Sequence, residues 1–452
     1  MKKILILGAG RSAHTLINYL IEQSSKYEWS ITIGDKFIES LQSKTKGLNN
    51  VNVIVFDVNN IEQREEEIRQ ASIVISMLPA RFHDLVAETC LKFGISMVTA
   101  SYVTPAIKNM HQEAVDKNIL FLNEIGLDPG LDHLSAMQVI DRLKGEGHKM
   151  LCFESFTGGL VAPESDNNPW NYKFTWNPRN VVVAGQGGAV KFIQEGKYKF
   201  IPYHRLFRRT EIIEIDGYGR FEGYANRDSL KYLDEYGLRG ISTIYRGTLR
   251  RPGFCRAWNV FVQLGATDDS YIIENSEDMT YREFINLFLS YNPNDSVELK
   301  LMHYLHLDQD SEVMEKLRWL GIFDNTKVGI KNATPAQILQ HILEQKWGLE
   351  PTDKDMIVMW HKFIYEDKNS KEKVLMTSST VVKGDDPLNT AMAKTVGLPV
   401  AIATKMILTG EIKLSGVHIP TKKEVYEPVL KELDKYDIHF TEKFSVENET
   451  VY

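Results

Sequence analysis

The chain of 452 residues exceeds what one hydrophobic core usually organises, so two or three domains are expected. Its 43% apolar and 25% charged residues are those of an ordinary globular protein, and a net charge of -7 without any basic run or Arg/Lys-rich tail excludes a general polyanion binder. Cys90, Cys152 and Cys255 lie far apart, with neither metal-site nor disulfide spacing, which suits a reducing compartment.

The first apolar run, 4–7, stops at Gly8, too short for a secretion signal, and no stretch approaches the ~20 apolar residues of a membrane span. A soluble cytoplasmic protein without membrane or nucleic-acid partners is therefore expected. Strand-like runs follow at 4–7, 31–33, 51–56, 73–77, 97–99 and 119–122, separated by amphipathic stretches such as 14–21 and 84–92. Short, nearly all-apolar strands alternating with helices predict a parallel sheet covered on both faces, an α/β domain over residues 1–130. From 150 to 264 the texture changes. Apolar/polar alternation at 209–218 and Gly-rich turns at Gly158-Gly159 and 185–188 predict a mixed or antiparallel sheet, an α+β domain over 131–278 and 350–384. Leu and Met at three- and four-residue spacing make 279–349 a small helical domain. Runs 356–365 and 373–382 read as a hairpin returning to the second sheet, and helices at 390–408 and 424–435 lie in a segment, 385–452, expected to pack back on the first domain.

Gly8-x-Gly10-x-x-Ala13 directly follows the first strand and opens a helix, with Ala9, Arg11 and Ser12 completing the loop. Gly8 permits the tight turn, Gly10 lets a pyrophosphate approach the backbone, and Ala13 lets helix and sheet pack closely. The helix N-terminus adds unpaired N–H groups and partial positive charge. The pattern is weak alone and strong in this strand–turn–helix setting, which makes the α/β domain a Rossmann-type dinucleotide domain. Asp35 ends the second strand, where an acid bonds ribose hydroxyls and repels a 2′-phosphate, favouring NAD over NADP; Lys36 beside it could neutralise that phosphate. Asp57 and Val58 end the third strand, near the expected adenine position.

Doubly wound sheets bind ligands beyond the carboxyl ends of their strands. That singles out Leu78, then Ala100, Ser101 and Tyr102, then 123–133, which includes Leu127, Asp128, Asp132 and His133. Asp128, Asp132 and His133 surround a Pro-Gly turn that opens a helix at 131–143. Their spacing matches no standard metal ligand set, so no metal is expected, and Asp132 serves equally well as a helix cap. Two arginine clusters, at Asn226-Arg227-Asp228-Ser229 and Arg246-Gly247-Thr248-Leu249-Arg250-Arg251, could hold carboxylates in bidentate fashion or simply balance local acids.

These motifs, with Val98–Ala106 in full, Gly158-Gly159-Leu160-x-Ala162-Pro163-Glu164, Asn167-Asn168-Pro169, Tyr172-Lys173-Phe174-x-Trp176 and Ala391-Met392-Ala393-Lys394-Thr395-Val396-Gly397-Leu398-Pro399, run in one order along nearly the whole chain. Together they resemble saccharopine dehydrogenase of the glutamate-forming type. The resemblance implies a Rossmann domain, a substrate and dimerisation domain, a small helical domain and a homodimer. It also implies reversible oxidation of saccharopine by NAD or NADP to glutamate and 2-aminoadipate 6-semialdehyde. By the same resemblance Ser101, Tyr102, Asp128, Arg227, Thr248, Leu249 and Arg250 contact saccharopine, Asp128 and Tyr102 being the acid/base candidates. Leu78, Ala100 and Leu127 line the cofactor. The chain departs from the family pattern at Thr157, where members carry cysteine, and at 386–390, which lacks the usual Gly-rich lead-in. Two alternatives stand beside this reading: a carboxynorspermidine or opine-type dehydrogenase, and a catalytically silent dinucleotide-binding protein.

Overall fold

The computed structural model describes residues 1–38, 45 and 47–446, so the end of the returning segment, 447–452, lies outside the described residues. The chain divides into two compact units. The first holds Met1–Met150, Tyr365–Val374 and Thr380–Tyr452, and the second Leu151–Ile364 and Leu375–Ser379.

In the first unit, β1 (Lys3–Leu7), β2 (Ser30–Asp35), β3 (Val51–Val55), β4 (Ile73–Ser76), β5 (Ser96–Val98) and β6 (Leu120–Leu122) join a short strand, Gly416–His418, in one sheet. The order is Gly416–His418, β6, β5, β4, β1, β2, β3, and every pairing is parallel. All six expected strands form. The seventh went unread because three residues carry no measurable period; its place depends on pairing with Leu120–Leu122. The chain crosses the sheet between β1 and β4, which puts the switch point at the end of β1.

Strands this apolar need cover on both faces. On one, Leu5, Leu7, Val74, Met97 and Phe121 pack in a single core with Val86, Ala87 and Cys90 of the helix His83–Phe93. Elsewhere in the unit the helix His14–Tyr27 packs along Ala391–Thr409. The latter is capped by Thr390, whose side chain accepts from Ala393 N–H at 2.9 Å. Contrary to the expectation from hydropathy, this helix is long and apolar enough to cross a membrane; 83% of its apolar window is buried within the protein. Its apolarity serves packing. At Gly397 an added Cβ would meet Leu16 N at 2.9 Å and Ser12 O at 3.2 Å, so only glycine lets it lie this close to the start of the first helix.

The second unit is built on a mixed sheet of β7 (Lys149–Val161, whose first two residues fall in unit one), β8 (Val190–Gln194), β9 (Lys197–Ile201), β10 (Thr210–Ile215), β11 (Gly219–Ala225), β12 (Thr243–Arg250), β13 (Asp355–Glu366, whose last two residues fall in unit one) and β14 (Lys373–Lys383, of which Leu375–Ser379 fall in unit two). Its path reads β10-β11-β12-β7-β13-β14, with β8 against β12 and β9. β10–β11 and β11–β12 are antiparallel and β12–β7 parallel. The paired glycines Gly158-Gly159 are a correction: they lie inside β7 and make no turn. A Cβ on Gly158 would sit 2.8 Å from both Leu249 Cβ and Leu249 O, so the glycine marks a close approach of β7 to β12. The region expected to be helical forms Tyr281–Asn286, Val297–Leu305, Glu312–Trp319 and Pro335–Glu344 within this unit. Each starts at a Ser or Thr cap, and Thr280–Glu283 and Thr334–Gln337 are full capping boxes.

Candidate dinucleotide and substrate site

The glycine loop lies at the carboxyl end of β1. Gly8 takes φ +95°, and its N–H donates to Gly34 O at 2.8 Å; a Cβ there would meet the Met77 carbonyl at 2.8 Å. The tight turn is thus wedged between β2 and the residues that follow β4. Gly10 differs: a Cβ added there has no heavy atom within 4 Å. Open space over an exposed glycine, just ahead of a helical turn at Arg11–Ala13, is what an incoming pyrophosphate requires. Arg11 is exposed, Ser12 half-buried, and Ala13 is buried where helix and sheet meet.

Asp35 is already engaged with backbone. Its Oδ2 accepts from Ala9 N–H at 2.7 Å and its Oδ1 from Phe37 N–H at 3.0 Å. The carboxylate therefore ties the end of β2 to the glycine loop, a role that spacing alone did not expose. Lys36 Nζ lies 3.8 Å from Asp57 Oδ1, both side chains about half exposed. Hydrogen bonding from Asn59 N–H, helped by Lys36, holds the Asp57 carboxyl below its usual range. Val58 points the other way: its side chain is buried in the core and its carbonyl accepts from Arg64.

The loops after β5 and β6 interlock. A Cβ on Gly126 would lie 2.7 Å from Ala100 Cβ, which brings Ala100 against the segment that carries Leu127 and Asp128. Leu127 is buried, whereas Leu78, Ala100, Ser101, Tyr102 and Asp128 are half-buried. The Asp128–Pro129 peptide is cis. Asp132 is a local tie, its Oδ1 accepting from Gly130 N–H at 2.6 Å. Among the described residues no group of three or more His, Cys, Asp or Glu is arranged to hold a metal ion. His133 instead contacts Glu124, Nε2 to Oε2 at 3.0 Å, with both side chains buried. Sequence reading passed over Glu124, since nothing local says that its partner lies nine residues away on a helix.

In the second unit, strand alternation separates the arginine cluster. Arg246, Thr248 and Arg250 share one face of β12, and Leu249 faces the other, fully buried beside Gly158. Leu249 accordingly packs its side chain in the core. Arg250 is 4% exposed, with its guanidinium 5.1, 5.9 and 5.3 Å from the ring centres of Tyr172, Tyr224 and Phe254. It donates to Leu249 O at 2.8 Å, and its Nε has no hydrogen-bond partner. Burial works against the charge, but Tyr224, Tyr172, Cys255 and Glu222 outweigh it and raise the pKa. Burial also pushes the Tyr224 phenol up to about 12. Thr157, in register with Thr248 across β7–β12, likewise has a buried hydroxyl without a partner. Arg246 is buried over the ring of Tyr232 at 4.5 Å. Arg227 is exposed, in a left-handed conformation (φ +50°), and its carbonyl accepts from Lys191 N–H.

A doubly wound parallel sheet with a glycine loop open at its switch point defines a Rossmann-type dinucleotide-binding protein. Comparison with known proteins narrows the class. Residues 4–122 match the family description "Saccharopine dehydrogenase NADP binding domain", and 126–438 match "Saccharopine dehydrogenase C-terminal domain". The chain is 32% identical to "Saccharopine dehydrogenase [NADP(+), L-glutamate-forming]" of Pyricularia oryzae over 98% of this chain and 99% of the fungal one. It is 35% identical to "Alpha-aminoadipic semialdehyde synthase, mitochondrial" of Rattus norvegicus over 98% of this chain and 48% of the rat protein. It thus spans about half the length of the mammalian relatives. The solved apo saccharopine dehydrogenase (L-Glu forming) of Saccharomyces cerevisiae superposes with a TM-score of 0.87 at 31% identity, covering 99% of this chain and 100% of that one. The chain belongs to the saccharopine dehydrogenase family, and its first domain binds a nicotinamide dinucleotide.

Proposed function

We propose that this chain is a saccharopine dehydrogenase of the glutamate-forming type, which reversibly oxidises saccharopine to glutamate and 2-aminoadipate 6-semialdehyde. The observation that carries the reading is Arg250, a cation enclosed by aromatic rings with an unpartnered Nε. A buried donor left unbonded costs roughly 1–3 kcal/mol, and a substrate carboxylate would supply the missing acceptor. The fungal relatives of near-equal length favour this reading over a carboxynorspermidine or opine-type dehydrogenase and over a silent binding protein.

The cofactor we propose is NADP, reversing the preference for NAD drawn from Asp35. The family description and the fungal names both carry NADP. In physical terms Asp35 spends its oxygens on two backbone N–H groups, while Lys36 stands half exposed at the same strand ends and can meet a 2′-phosphate. When bound, the nicotinamide would supply the hydride acceptor for the saccharopine methylene carbon next to the secondary amine, the carbon that becomes the aldehyde. Arg250 and Arg227 hold carboxylates and so orient that carbon, with Thr248 on the same strand face as Arg250. Asp128 and Tyr102 sit on the loops beside the dinucleotide site. They accept the amine proton, so that the nitrogen lone pair can drive hydride loss, and relay protons as water adds to the imine, after which the carbon–nitrogen bond breaks and glutamate departs. We further propose that the protein works in the cytoplasm as a homodimer.

Purified chain mixed with saccharopine and either dinucleotide, followed at the reduced-nicotinamide absorbance, tests the proposal. Turnover with glutamate release and a preference for NADP is expected. Inertness toward saccharopine in both directions, or faster turnover of a carboxynorspermidine substrate, would overturn it.

A further inference from the structure

Beneath the loops that carry Ser101, Tyr102, Leu127 and Asp128, buried side chains form one connected line. Glu124, 2% exposed with φ +56°, lies just beyond β6, after Asn123. Its backbone N–H donates to Ser101 O at 3.0 Å, and its Oε1 accepts from Val103 N–H at 3.1 Å. Its Oε2 contacts His133 Nε2 at 3.0 Å; His133 Nδ1 lies 3.8 Å from Asp132 Oδ1, which in turn accepts from Gly130 N–H. Burying three ionisable side chains is unfavourable unless each is bonded, and a satisfied network of this kind rigidifies the segments it joins. The line includes backbone N–H groups of both loops, Val103 after β5 and Gly130 after β6. The network therefore couples the two loops to each other.

We propose that Glu124 is a positioning residue for the substrate side of the site: with His133 it holds the loop of Ser101 and Tyr102 against the loop of Asp128, setting the spacing between Tyr102 and Asp128. The identity of the substrate rests on the function proposed above, whereas the coupling of the loops does not. Removal of Glu124 should loosen both loops while leaving the glycine loop at β1 intact.

The test uses Glu124→Ala, Glu124→Gln and His133→Asn in the full chain. For Glu124→Ala, kcat with saccharopine should fall on the order of 10- to 100-fold, since misplaced reacting groups lose the orientation advantage. Dinucleotide affinity, read from reduced-nicotinamide fluorescence, should stay within about twofold. Amide hydrogen exchange should accelerate on the order of tenfold or more in peptides covering 101–104 and 126–130, and stay unchanged in peptides covering 3–20. Glu124→Gln keeps the Oε1 acceptor for Val103 N–H and should recover much of both kcat and protection; His133→Asn should resemble Glu124→Ala. Should Glu124→Ala fail to fold, the glutamine and asparagine variants decide by the same readings. Wild-type exchange in those two loops, or faster exchange spread evenly over the first unit, would overturn the proposal. A wild-type chain inert toward saccharopine would refute the substrate reading alone, leaving the exchange measurements to judge the coupling.

Discussion

Replacing Arg250 with lysine keeps the buried charge and removes the planar fork. The fold then loses the bond from the guanidinium to Leu249 O, worth about 1 kcal/mol net, and part of the attraction to the Tyr172, Tyr224 and Phe254 rings, about 0.5–1 kcal/mol. A stability loss of about 1–3 kcal/mol should follow, readable by denaturant unfolding. A substrate carboxylate that meets a fork accepts two charge-assisted bonds and would keep at most one from an ammonium, a loss of about 1.5–3 kcal/mol. At about 1.4 kcal/mol per decade that is roughly a 10- to 150-fold rise in the saccharopine KM, with dinucleotide affinity unchanged. Steady-state rates at the reduced-nicotinamide absorbance measure the first quantity, and fluorescence titration the second. If the variant lost the expected stability yet kept a KM within about twofold of wild type, Arg250 would be a pin for the aromatic cluster and would not bind substrate.

The two loop glycines should respond in opposite ways. Gly10→Ala adds a methyl group to open space, so stability should hold while dinucleotide affinity falls by about tenfold or more; Gly8→Ala should destabilise the fold itself by about 2 kcal/mol or more, because of φ +95° and the Met77 carbonyl 2.8 Å away. Equal thermal stabilities for the pair would contradict this geometry. Lys36→Ala should raise the KM for NADP by about 5- to 30-fold, less than a buried charge-assisted contact because solvent screens the half-exposed ammonium, and leave that for NAD nearly unchanged; equal changes for both would remove Lys36 from 2′-phosphate recognition. His83 is buried with Ser76 Oγ 2.8 Å from Nδ1, and burial lowers its pKa from 6.5 to about 4. The unfolded chain therefore takes up this proton first as the pH falls, so the contribution of neutral His83 is complete above about pH 6.5 and is lost toward pH 4. The loss amounts to about 3 kcal/mol. His83→Gln should flatten that part of the stability profile, and identical wild-type and variant slopes would refute the assignment.

Sequence alone determined the parallel sheet, the position of the dinucleotide loop and the family, because these rest on local information. Apolar runs of strand length between amphipathic helices announce a covered sheet, and Gly8, Gly10 and Ala13 are legible because each answers a steric demand within its own turn. Motifs kept in order along the chain carried the resemblance.

Tertiary structure decided what depends on which segments meet. Gly158 looked like a turn residue until β7 and β12 lay side by side, and Gly397 gained its meaning only from the backbone of Ser12 and Leu16. Asp35 displayed an acid at the expected spot, but its bond to Ala9 N–H comes from the fold of the loop, and it weakened the argument for NAD. Glu124 and His133 found each other only when the strand end and the following helix were set side by side. The physical reason is the same in each case. A period or a turn is written in neighbouring residues, whereas the partner of a buried polar or close-packed group is chosen by long-range pairing that no window of sequence contains.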